Sequence, residues 1–176
     1  PGPRPFTAVA PVRIRLGVPR QHATARAPAA ERGNGVPLSR RTAVIVGAGP
    51  GVSGSLARLY ADAGWDLALF GSHPDAVGAL AADLRERGAA VDEEIGDLSD
   101  VADTDDKLRS LAERAEEVGL LHFNPSVFRE ADALELSVAD LLADVAVGVG
   151  WLLTAVQAVV GSMGPGARVS ATGSIA

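Results

Sequence analysis

The chain has no cysteine, which excludes disulfides, thiolate-held metals and a cysteine nucleophile. Its three histidines, His22, His73 and His122, are too scattered to make a metal-ligand cluster of the usual spacing. Lysine and tyrosine are as scarce: the 16 basic residues are Lys107 and fifteen arginines, and Tyr60 is the single tyrosine. Aromatics make up 4%. What is present is 47% hydrophobic and 22% charged residues at a mean hydropathy of +0.18 over 176 residues. Those values describe a soluble globular chain able to bury one sizeable core.

Charge is divided unevenly. The net charge is −6, yet residues 1–41 carry eight arginines against Glu31, or +7, which leaves −13 for the remainder. An acidic domain argues against a nucleic-acid or anionic-membrane surface. The first forty residues also hold seven of the eleven prolines. Proline removes backbone donors and blocks helices, so residues 1–41 read as a disordered basic arm able at most to attract polyanions. The arm lacks an apolar stretch of secretory length, and its prolines spoil the amphipathic helix of a transit peptide. A cytoplasmic chain is the expectation.

From residue 42 short apolar runs alternate with amphipathic stretches. Strands are expected at 42–46, 66–70, 89–95, 120–124 and 167–172, and helices at 52–63, 74–87, 103–118 (ended by Gly119) and 137–160. Strands separated by helices imply parallel βαβ units, and their right-handed crossovers build a Rossmann-like doubly wound α/β sheet over residues 42–176. Fifteen of the twenty residues in 141–160 are apolar, but Asp144, Gly148, Gly150, Thr154 and Gln157 interrupt them, so a buried helix explains the run better than a membrane span.

The segment VIVGAGPGVSGSLA at 44–57 joins the first strand to the first helix. Glycines there let the backbone turn sharply and approach a phosphate, where free N–H groups and the helix dipole stabilise the anion. Three registers compete. Gly49, Gly51 and Gly54 satisfy G-x-G-x-x-G but start late after the strand; Gly47, Gly49 and Val52 resemble a flavoprotein turn with its third glycine lost; Gly47, Gly51 and Ser53 fit G-x-x-x-G-x-G with serine for the last glycine. The second-strand corner, Phe70-Gly71-Ser72-His73, has no carboxylate before Asp75, which weakens a flavin reading.

The third register, followed by Asp97-Leu98, by Leu121-His122-Phe123-Asn124 and by Asp144-Val145-Ala146-Val147 in that order, resembles the short-chain dehydrogenase/reductase family across 42–176. The resemblance implies a dinucleotide site formed by Gly47, Gly49, Gly51, Val52, Ser72, His73, Asp97, Leu98 and Asn124. Without a carboxylate at the corner nothing repels a 2′-phosphate, so NADP is favoured over NAD, with Ser72 and His73 as its only holders. Plain structural uses exist beside these: Asp97 as a helix cap, Ser72 as the cap of the second helix, Asn124 as a strand end, Trp65 and Trp151 as core.

The family's chemistry is missing here. A catalytic tyrosine, with an ordinary pKa of about 10, needs a neighbouring lysine to act near neutral pH. The family's Tyr-x-x-x-Lys falls about a dozen residues past its serine, beyond Ala176, and Tyr60 and Lys107 lie on different helices. The supporting asparagine is Ala146, and the serine position falls at Gly173, with Thr172 and Ser174 beside it and Ser174 the candidate. The expectation is a C-terminally truncated, dinucleotide-binding portion of an oxidoreductase, inactive alone, acting on a small carbonyl or alcohol only when completed. It would expose Val145, Val149, Leu152, Leu153 and Val156 as a face for a homo-oligomer. A non-catalytic nucleotide-binding or regulatory module is the rival, and a flavin-type domain a lesser one.

Overall fold

Residues 41–46 (RTAVIV) pair on both sides and lie in a sheet covered on both faces, which is why the run is apolar without alternation. The computed structural model describes residues 40–125 and 134–173, all within one compact unit, Val36–Ala176. Of the arm expected over residues 1–41, positions 1–39 lie outside the described residues, and Arg41 belongs to the first strand rather than to the arm. Five strands, β1 (Arg41–Val46), β2 (Asp66–Gly71), β3 (Val91–Ile95), β4 (Glu117–Phe123) and β5 (Met163–Ala171), form one parallel sheet in the order β3-β2-β1-β4-β5. The chain reaches β4 from β3 by crossing over β2 and β1, so the order reverses between β1 and β4, where a doubly wound sheet opens its crevice.

Helices α1 (Val52–Asp62) and α2 (Pro74–Glu86) cover one face, and α3 (Val101–Arg114) covers the other with the α4–α5 arm: α4 (Val138–Val145), a π-helical turn (Ala146–Gly150) and α5 (Trp151–Val159). Successive strand residues enter opposite cores. Ala43, Ile45, Leu67 and Leu69 meet Ala57, Val77, Leu80 and Leu84, whereas Val44, Val46, Ala68 and Phe70 meet Leu108, Leu111, Ala155 and Val159. Truncating a fully buried side chain such as Leu69 to alanine would cost about 2–5 kcal/mol, through lost burial and the cavity left behind.

The structure departs from the sequence reading in several places. The third helix runs from Val101 to Arg114 with Asp100 as its cap, rather than 103–118. Val118 fits the helical period, but its pairing with β1 and β5 draws it into β4, and Gly119 lies inside that strand instead of ending a helix. A Cβ at Gly119 would stand 2.6 Å from the Trp65 ring, so packing explains this glycine. The helix expected over 137–160 is divided by the π-helical turn at Ala146–Gly150. Ser72 caps no helix: the N-cap of α2 is His73, and no side chain caps it. Finally, β5 begins at Met163 rather than 167.

Val138–Ser162, with a mean hydropathy of 1.7 over its most apolar stretch, is long and apolar enough by length and composition to cross a membrane. Its inner side, Ala155, Ala158 and Val159, is buried in the α3-side core. Its outer side exposes Val138, Leu141, Leu142, Val145, Val149 and Leu153. Leu152 and Val156, expected on that exposed face, are partly buried against the core instead.

Candidate functional site

At the carboxyl end of β1 the backbone makes two left-handed glycine steps, Gly47 (φ +82°) and Gly51 (φ +90°), before α1 begins. Gly47 needs glycine twice over, because a Cβ there would lie 2.8–2.9 Å from the backbone of Asn124 and Pro125. Gly54 lets α1 approach the loop, since its Cβ would meet the Gly49 carbonyl at 2.7 Å. Gly49 has neither a left-handed φ nor any atom within 4 Å of a would-be Cβ. Its space is open, as a loop that admits a ligand to its backbone requires.

The N–H groups of Gly47 and Ala48 both donate to the Phe70 carbonyl, at 2.9 and 2.8 Å, which ties the start of the loop to the end of β2. The donors left for an anion are those of the first turn of α1, whose N-cap Gly51 carries no side-chain cap and whose first turn has no acidic residue. By contrast, Asp100 caps α3 by accepting from the Asp103 N–H, and Ser137 caps α4 by accepting from the Asp140 N–H.

Below the loop lies a cleft of about 330 Å³ lined by Gly47, Ser72, His73, Asp97, Leu98 and Asn124, six of the nine residues expected from the sequence. Gly49, Gly51 and Val52 stand outside its lining, in the turn that leads into α1. Ser72 and His73 form a hydrogen-bonded pair, Oγ to Nδ1 at 2.9 Å, at an exposed corner with no carboxylate before Asp75. Asp97 is not the helix cap. Its Oδ1 accepts the Ser99 N–H at 2.8 Å, and the Ser99 backbone and hydroxyl hold its carboxyl below the ordinary value, keeping it an ionised acceptor. Asn124 donates its N–H to the Val46 carbonyl at 2.9 Å, fixing the end of β4 to β1.

Five further lining residues were not among those expected: Ala48, Gly71, Pro125, Val147 and Trp151. Trp151 is half-buried, packed on the α3-side core while it lines the cleft. The apolar periodicity of its helix gave no sign of this, because cleft and core meet on one side of it.

Tyr60 and Lys107 lie apart, on α1 and α3. Tyr60 packs edge-on against Trp65, ring centroids 4.8 Å apart. Lys107 donates to Asp103 at 2.6 Å and to the Ile95 carbonyl at 2.8 Å. Ala146 opens the π-helical turn. Thr172 donates its N–H to the Phe123 carbonyl at 2.9 Å, and Ser174 lies outside the described residues. His122, buried in β4, shares a hydrogen bond with the Ser170 hydroxyl at 2.9 Å, and burial pushes its pKa down. Among the described residues no cluster of acidic and histidine side chains could hold a metal.

A family model described as short chain dehydrogenase matches residues 41–176. Among solved structures, a short-chain dehydrogenase from Burkholderia cenocepacia J2315 in complex with NADP is 25% identical at a TM-score of 0.70, over 77% of this chain and 56% of that one. A short-chain dehydrogenase/reductase from Serratia marcescens BCRC 10948 is 24% identical at 0.70 over the same shares. A blue fluorescent protein from a metagenomic library, in complex with NADPH, is 22% identical at 0.68, over 76% of this chain and 56% of its own. This chain therefore spans little more than half the length of these structures. No curated protein matches it. The matched span takes in all five strands and the glycine turn, and on that ground the chain belongs to the short-chain dehydrogenase family.

Proposed function

We propose that this chain is the dinucleotide-holding part of a short-chain oxidoreductase, and that it binds NADP(H) in preference to NAD(H). The observation that carries the reading is the pairing of an uncapped, acid-free α1 N-terminus behind an open glycine loop with a corner that presents Ser72 and His73 and no carboxylate. The pyrophosphate would lie against the first turn of α1, where the helix dipole contributes about 0.3–1 kcal/mol. Ser72 and His73 would hold the 2′-phosphate, and the Asp97 carboxylate with Leu98 would hold the adenine. Pro125, Val147 and Trp151 would supply the apolar wall that excludes water from the cofactor. The nicotinamide, when bound, supplies or accepts the hydride. The NADP and NADPH complexes of the Burkholderia and metagenomic proteins support the choice of cofactor.

The chain by itself would not turn over a carbonyl or alcohol. Tyr60 is packed against Trp65 and Lys107 is paired with Asp103 on another helix, so neither can form the phenol–ammonium pair that proton transfer needs. We assign the substrate, a small carbonyl or alcohol, to a completed enzyme, and the exposed face of α4–α5 to contact with a second copy in the cytoplasm rather than with lipid or nucleic acid. The substitution of Ala146 for the family's asparagine favours a second reading, a nucleotide-binding regulatory module. Fluorescence titration with NADPH and NADH decides the cofactor: tighter NADPH binding is expected, and tighter NADH binding would reverse the assignment. Sustained NADPH oxidation by the isolated chain with any carbonyl would overturn the claim of inactivity.

A further inference from the structure

Ser53 stands where the family's turn has its last glycine, and the structure gives it work that a glycine cannot do. It is 1% exposed, and its hydroxyl donates to the Gly47 carbonyl at 2.8 Å while the Asn124 amide donates to it at 2.7 Å. One side chain on α1 thus joins the start of the glycine loop to the end of β4. A hydroxyl has a single proton. Because that proton goes to Gly47, Asn124 must turn its NH₂ group toward Ser53, and its Oδ1, with no protein donor among the described residues, is left as an acceptor in a side chain that lines the cleft.

We propose that Ser53 is a positioning residue for the dinucleotide, fixing the Gly47 carbonyl and the rotation of the Asn124 amide so that Oδ1 accepts from a ribose hydroxyl on the nicotinamide side of the pyrophosphate, a group that adenosine 2′-monophosphate lacks. The proposal rests on the dinucleotide reading above. It explains how the chain departs from the glycine pattern and keeps a usable site: the added side chain fills its volume and also replaces the loop's flexibility with two hydrogen bonds.

The test compares the full chain with S53A and S53G, the latter restoring the residue usual in the family, each checked for folding by thermal denaturation. NADPH and adenosine 2′-monophosphate are the probes, the second carrying adenine and 2′-phosphate but no pyrophosphate. Both variants should bind NADPH about tenfold more weakly, the scale of one lost charge-free contact plus the amide it orients. Adenosine 2′-monophosphate affinity should stay within about twofold, because its contacts lie at the Ser72–Asp97 end. An equal loss for both probes would make Ser53 merely structural and overturn the proposal, as would NADPH binding at full strength by either variant. If the unsubstituted chain binds neither probe, the dinucleotide reading fails first and this inference with it, an outcome separate from the others.

Discussion

The two ends of the sheet each carry a cleft, and they differ in what happens to charge. At the amino end, a cavity of about 250 Å³ is lined by Arg40, Asp66, Asp92, Arg114 and Glu116 among others. There Arg40 pairs with Asp66 at 3.4 Å, and Arg114 pairs with Asp92 at 3.3 Å and with Glu94 at 3.1 Å. At the carboxyl end the lining holds one carboxylate, Asp97, and beside it lie an uncapped helix N-terminus and backbone donors. In the charged cleft both arginines are paired with carboxylates, whereas the helix-end donors beside the nearly neutral one have no side-chain partner. That unmet hydrogen-bonding capacity, and not the number of ionised side chains, is what recommends the carboxyl-end cleft as the proposed dinucleotide site. The helices repeat the contrast: the N-caps of α1 and α2, next to the carboxyl-end cleft, lack side-chain caps, whereas Asp100 and Ser137 cap α3 and α4.

The largest effect should come from crowding the carboxyl-end cleft. Gly47→Val places a branched Cβ against the backbone of Asn124 and Pro125 at a left-handed φ; NADPH titration should show binding lost, with stability reduced by about 2–4 kcal/mol in urea denaturation. A well-bound, stable G47V would break the contrast outright. Next comes Ser72→Asp, which sets a carboxylate where none stands; NADPH should bind roughly thirtyfold more weakly and NADH about as before, since only the former brings a 2′-phosphate against the new charge. An equal effect on both nucleotides would remove the corner from the site.

A smaller, pH-dependent effect belongs to His122. Burial lowers its pKa in the folded chain below the ordinary value of about 6.5, so the unfolded chain takes up the proton first. The stability it contributes is present above about pH 6.5 and is lost as pH falls from there through its lower folded value. Urea denaturation at pH 8 and pH 5 should show this loss, and H122Q should flatten that part of the profile. The smallest effect is expected at the amino end. Arg114→Ala breaks two half-exposed ion pairs, and we expect less than about 1 kcal/mol in stability and unchanged NADPH binding. Weakened binding in R114A would show that the amino-end cleft takes part in binding after all.

Much of the carboxyl-end cleft was legible because its lining sits where strands end, and strand ends can be read from the order of apolar runs. Gly47, Ser72, His73, Asp97 and Asn124 each follow one, and parallel strands bring those ends together without further information. Val147 and Trp151 were not legible as lining, because their side depends on how the π-helical turn rotates α5 against the sheet. Val118 and Gly119 misled for a related reason: helical period and strand pairing both suited the segment, and only the register with β1, β5 and Trp65 chose between them.

The order of apolar runs and turns determined the fold class, the strand ends and the glycine loop, because hydrophobic period and backbone freedom act locally along the chain. Tertiary structure alone decided that Ser53 reaches Asn124 across seventy-one residues, that Asp100 rather than Asp97 caps α3, and that Arg40 and Arg114 find carboxylate partners at the amino end. Those outcomes depend on distances between segments far apart in sequence, where a few ångströms separate a satisfied polar group from one still free to bind.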